Sequence, residues 1–133
     1  MLTVTRPVLI KIRVTDNYKK SLALELRHRV AGLESELQHI EHQIRKLQEI
    51  SKKNPGAAEA ALAQWEQEKQ SRLDTKLKLL DKIKEVGKLV NGSEVLQGKV
   101  ESFVQVQVGD DWHRLMQAEI ILEDGRVVEI RGL

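Results

Sequence analysis

Two stretches of the chain place apolar residues along one side of a helix, and they mirror each other about Asn54-Pro55-Gly56. Before that point Leu26, Val30, Leu33, Leu37, Ile40, Ile44 and Leu47 recur at alternating steps of four and three. After it come Leu62, Trp65, Leu73, Leu77, Leu80 and Ile83. A 3.5-residue repeat keeps one seam turned toward a partner helix. Folded back at the turn, the stripes match in layers: Leu47 with Leu62, Ile44 with Trp65, Leu37 with Leu73, Leu33 with Leu77, Val30 with Leu80 and Leu26 with Ile83. This predicts an antiparallel two-helix coiled coil, with a first helix over about 17–51 and a second ending near Val90. Asn54 is a candidate N-cap and Pro55 a candidate first residue of the second helix. Lys69 falls opposite the Ile40 layer, where a polar residue weakens packing and can fix register.

The ends of the chain alternate instead with period two, the signature of half-buried strands. Leu2, Val4, Val8, Ile10, Ile12 and Val14 form one such run, and Val100, Val104, Val106 and Val108 another. Ala118, Ile120 and Leu122 lead into Asp124-Gly125, a strong hairpin signal, and Val128 and Ile130 follow it. Pro7 lacks an N–H, which places the first strand at an edge or breaks it near its start. The expectation is an α+β protein: a long antiparallel two-helix coiled-coil hairpin rooted in a small antiparallel β domain made of the N-terminal strand and three C-terminal strands. The corresponding divisions are 1–15 for the first strand, 16–92 for the hairpin with its tip near 52–57, and 93–133 for the rest of the β domain.

Composition narrows the function classes. Charged residues make up 32% and aromatics 3% of the 133 residues, which suits long solvated helices. With no cysteine, disulfides and thiol catalysis are excluded. No apolar run approaches the roughly 20 residues of a membrane span. The run Pro7 to Ile10 is cut by Lys11 and Arg13 with no small-residue cleavage site after it, so no signal peptide is expected, and the cytoplasm is the expected location. Charge is graded along the chain. Residues 1–20 hold five basic and one acidic residue, while residues 93–133 hold four and eight. Strands of such opposite sign attract when they share a sheet.

No motif specifies a reaction: glycine-rich phosphate loops, nucleophile elbows and metal-binding helix motifs are absent. His28, His39 and His42 fall on outer helix positions and lack a convergent third ligand. Asp110, Asp111, His113 and Asp124 form an acid–imidazole group that could hold a cation, yet aspartates are also turn formers. Trp112 beside them reads as a core anchor or a contact residue. Lys76, Lys78, Lys82, Lys84 and Lys88 make a band able to neutralise phosphates, although interspersed acids are the usual dress of a solvated helix. The residues therefore predict a non-enzyme, with no catalytic, cofactor or metal site. Protein-contact candidates are Lys52, Lys53 and Ala57 at the tip and Trp112 and His113 in the β domain. RNA or ribosome contact through the lysine band is the alternative, and self-association is left open.

Three segments resemble the YlqD proteins of bacteria: Pro7-Val-Leu-Ile-Lys-Ile-Arg-Val-Thr-Asp16, Val104-Gln-Val-Gln-Val-Gly-Asp-Asp-Trp112, and Ala118-Glu-Ile-Ile-Leu-Glu-Asp-Gly-Arg-Val-Val-Glu-Ile-Arg131. The resemblance covers both ends and, by pattern, the helical middle. It transfers no catalytic or binding residue.

Overall fold

The computed structural model describes residues 1–133. In order, the chain forms β1 (Leu2–Arg13), α1 (Asp16–Lys53), α2 (Glu59–Lys88), β2 (Glu94–Val106), a single-turn helix α3 (Trp112–Leu115), β3 (Ala118–Glu123) and β4 (Arg126–Arg131). It divides into two compact units, a β unit of residues 1–20 and 89–133 and a helical unit of residues 21–88.

In the β unit the four expected strands form one sheet in the order β2-β1-β3-β4. β1–β2 and β3–β4 are antiparallel, but β1 and β3 run parallel, from Val8 beside Ala118 to Ile12 beside Leu122. The sheet is thus mixed rather than wholly antiparallel. The cause is strand order: β3 runs opposite to β2, and β1 lies between them, so β1 and β3 must share a direction. Pro7 is accommodated in a continuous internal strand because β3 pairs only with residues 8–12 of β1, leaving position 7 with β2 alone as neighbour.

Pleating sorts the two faces. One carries Val8, Ile10 and Ile12 of β1 with their neighbours Val100 and Val95 of β2, Ile120 and Leu122 of β3, and Ile130 and Val127 of β4. The other carries charge around the fully buried Ile121. There Lys11 meets Glu119 at 2.6 Å, and Arg13 lies 3.2 Å from Glu129, 3.7 Å from Glu94 and 3.9 Å from Glu123. The basic N-terminal strand and acidic C-terminal segment do meet in one sheet.

Thr15 caps α1, its hydroxyl oxygen accepting from the Tyr18 N–H at 3.1 Å while donating to Asp124 at 2.7 Å. Near the other helix end, the Asn91 amide donates to Asp16 at 2.9 Å and Gly92 adopts φ +88°. In the helical unit, α1 buries or half-buries the predicted row from Leu26 to Leu47. α2 departs from expectation. Its sheltered row is Ala58, Leu62, Trp65, Lys69, Arg72, Lys76, Leu79, Ile83 and Val86, again at steps of four and three, whereas Leu77 is 61% and Leu80 37% exposed. The layers assigned to Leu77 and Leu80 are therefore incorrect, and Arg72 holds the row position assigned to Leu73, which is itself half-buried at the flank. Leu26, Val30, Leu79 and Val86 form the buried cluster, with Leu22, Ala23, Leu33 and Ile83 packed on it. Further along, three consecutive seam positions are cations answered by α1: Lys76 by Glu34, Arg72 by Glu36 and Lys69 by Glu41. Descending numbers on one helix meet ascending numbers on the other, so the pair is antiparallel. At the turn, the Ala57 N–H donates to the Asn54 carbonyl at 3.1 Å and Gly56 has φ +91°, the pattern of a Pro-Gly type II turn. Pro55 and Gly56 are consumed by this turn, so α2 begins at Glu59 and Asn54 is not its N-cap.

Candidate functional site

The predicted contact residues fall into three groups. At the tip, Lys52, Lys53 and Ala57 are all exposed, on the last turn of α1 and in the type II turn. Lys52 reaches Glu49 at 3.2 Å one turn back, an exposed pair of little energetic weight. In the β unit, Asp111 caps α3 by accepting from the Arg114 N–H at 3.3 Å, and Asp110 accepts from the Gln107 N–H at 2.9 Å. These contacts close the turn after β2 and present Trp112, 60% exposed, beside the exposed His113. Trp112 is thus not a core anchor. The His113 ring lies 2.8 Å from the Gln117 amide. Arg6 ties this segment to the sheet, donating to the carbonyls of Leu115 at 2.9 Å and Gly132 at 3.0 Å.

The lysine band lies on α2. Lys78, Lys82 and Lys84 are exposed and none takes part in an ion pair, while Lys88 lies 3.4 Å from Glu85. Lys78 with Lys82, and Lys84 with Lys88, are i,i+4 neighbours along the helix surface. Lys76, two residues before Lys78 and so on a different side of the helix, turns inward to Glu34 and is unavailable.

The candidate metal sets do not assemble. No three His, Asp or Glu side chains converge in a geometry that could hold an ion. His39 packs edge-on against Trp65, ring centroids 6.1 Å apart. Asp110 and Asp111 serve turn and cap, and Asp124 accepts from Thr15 at the β3–β4 turn.

Sequence reasoning missed the charge network centred on Arg131. Its guanidinium grips Glu94 with two bonds of 2.8 and 2.7 Å and Glu129 at 3.0 Å. These hydrogen bonds hold both carboxyls below the usual carboxylate range and raise the pKa of the arginine itself. The alternation of charge in Arg126–Arg131 was its only sequence trace. An open cleft of about 590 Å³ adjoins this network, lined by Leu9, Arg114, Met116, Gln117, Glu119 and Arg131 among others. Also missed were the exposed Phe103 on β2 and Leu77 on α2.

Residues 2–131 match the family model described as YlqD protein. The chain belongs to the YlqD family. Among curated YlqD relatives, it is 32% identical over 120 residues to the "Uncharacterized protein YlqD" of Bacillus subtilis (strain 168), covering 89% of each chain. The crystal structure of a protein of unknown function from Synechococcus sp. WH 8102 shares the fold, with a TM-score of 0.74 at 24% identity, over 98% of this chain and 96% of that one. The YlqD fold is therefore α+β, two long helices with a four-stranded sheet. No helix is long and apolar enough to cross a membrane.

Proposed function

We propose that this YlqD protein acts by contact and not by catalysis, as an interaction or scaffold protein of the cytoplasm. Its helix pair serves as a coiled-coil element whose tip is one contact surface, and the β unit supplies another. The observation that supports this most is Trp112. A large aromatic side chain held in solvent by a capped turn and an arginine clamp is the kind of anchor that interfaces bury. Lys52, Lys53 and Ala57 offer a small, basic, weakly paired tip suited to a protein partner. The test is affinity capture from native cells with the tagged full chain, its Trp112→Ala variant and its Lys52→Glu/Lys53→Glu variant, followed by mass spectrometry. Wild type retains a set of proteins that one or both variants lose while their circular dichroism is unchanged. Identical sets from all three would refute the reading.

A second reading has its own support: Lys78, Lys82 and Lys84 are exposed and ion-pair free, so they are available for phosphates of RNA or of the ribosome. Three or four phosphate contacts give a slope of log K against log salt of roughly −2 to −3. Binding to ribosomal RNA that is flat with salt, or unchanged in Lys78→Ala/Lys82→Ala/Lys84→Ala, would exclude it.

A further inference from the structure

β2 is an edge strand of thirteen residues, and its outer side faces no other strand of the sheet. Alternate N–H and C=O groups along it therefore lack a ladder partner. Such an edge is a template for another chain, and natural proteins usually guard it with charge or a bulge. β2 has a bulge, since Gly98 pairs with Ile10 and Leu96 with Lys11, leaving Gln97 unmatched. It also carries Lys99 and Glu101, neither of which takes part in an ion pair within the chain. Their arrangement is not that of a simple guard. They have opposite signs, are two residues apart, and so share one face of the strand.

A strand patterned in this way is complementary to itself. Laid antiparallel about a two-fold axis through Val100, it places Lys99 of each copy opposite Glu101 of the other. Gly98 then faces Ser102, and Val100 faces its own counterpart. We infer that two copies of this chain join through their β2 edges about Val100, making one eight-stranded sheet across an isologous dimer. The ladder ends at the bulges, where Phe103 of one copy comes beside Leu96 of the other on the Lys99 face. That pairing gives a partner to two side chains otherwise 78% and 64% exposed. Val100 belongs to the apolar face of the sheet, so the dimer also joins the two apolar faces into one.

The chain contains no cysteine, so Val100→Cys introduces a single thiol on the axis. Directly opposed residues bring their Cβ atoms to about 4.5–5.5 Å, close enough for a disulfide after a slight adjustment. Mild oxidation links Val100→Cys into a dimer, whereas Leu77→Cys on the helical unit stays unlinked. In sedimentation equilibrium, Lys99→Glu and Glu101→Lys each raise the dimer Kd by about tenfold or more, through like charges placed opposite. An equimolar mixture of the two variants regains wild-type association, as does the double swap Lys99→Glu/Glu101→Lys. A wild-type chain that sediments as a monomer at millimolar concentration overturns the inference. So does a dimer that neither reversal weakens, or a mixture that fails to recover.

Discussion

Leu77 and Leu79 lie two residues apart on α2, and truncating each to alanine distinguishes the row that packs from the row that merely looks apolar. Leu79 is 3% exposed and sits in the buried cluster with Leu26, Val30 and Val86; Leu77 is 61% exposed. Removing three buried carbons at ~0.8 kcal/mol each forfeits about 2.4 kcal/mol of transfer energy. The cavity left behind adds to this, within the roughly 2–5 kcal/mol range of buried leucine truncations. Leu79→Ala should therefore cost about 3 kcal/mol. Leu77→Ala loses well under half of that burial, and alanine's helix propensity offsets part of it, so its cost stays below about 1 kcal/mol. Followed at 222 nm during thermal unfolding, Leu79→Ala lowers Tm by roughly 10 °C and Leu77→Ala by no more than a few degrees. Equal costs, or a larger loss for Leu77→Ala, would show that the seam runs through the leucine row and that the cation row is misplaced.

Acid should weaken both units by the same route. The Lys69 hydrogen bond lowers the pKa of Glu41, and Arg131 lowers those of Glu94 and Glu129. A carboxyl depressed in the folded state contributes stability above its ordinary value near 4.5, and that contribution is lost as pH falls through the depressed value. Tm measured from about pH 7 to about pH 3 should fall more steeply for wild type than for Glu41→Gln or Glu94→Gln; parallel curves would count against these pairs. The glycines give an independent test. A Cβ at Gly132 would lie 2.4 Å from the Gln117 carbonyl oxygen, while one at Gly56 meets nothing within 4 Å, and both residues have positive φ. Gly56→Ala should cost about 1 kcal/mol, from backbone strain alone. Gly132→Ala should cost clearly more in urea unfolding, and the reverse order would contradict the placement of the C-terminal residues.

The local elements were legible because their signals are local. Period-two alternation located β1 and β2, Asp124-Gly125 marked the β3–β4 hairpin, and Asn54-Pro55-Gly56 marked the reversal between helices. The α2 seam was misread because an apolar count follows leucines. The actual row passes through Lys69, which was read correctly opposite Ile40, and then through Arg72 and Lys76, and Glu41, Glu36 and Glu34 stand across from these three cations. Nothing in α2 alone announces those partners. The insertion of β1 between β2 and β3 was equally invisible, since alternation gives a strand its faces but not its neighbours. Trp112 shows the same limit: composition favours burying a tryptophan, whereas Asp111 and Arg6 fix it on the surface. The charge gradient between the chain ends was informative, and it reappears as the Lys11 and Arg13 contacts with Glu119, Glu94, Glu123 and Glu129.

The doubling back of the chain is tested most directly by pulsed electron-spin distances between labels at the exposed positions His28 and Lys82 in the otherwise cysteine-free protein. Helices packed side by side have axes about 8–10 Å apart, so a narrow distribution within a few tens of ångströms, label arms included, is expected. One continuous helix would separate the same sites by roughly 80 Å at 1.5 Å per residue, and a distribution out there would contradict the account.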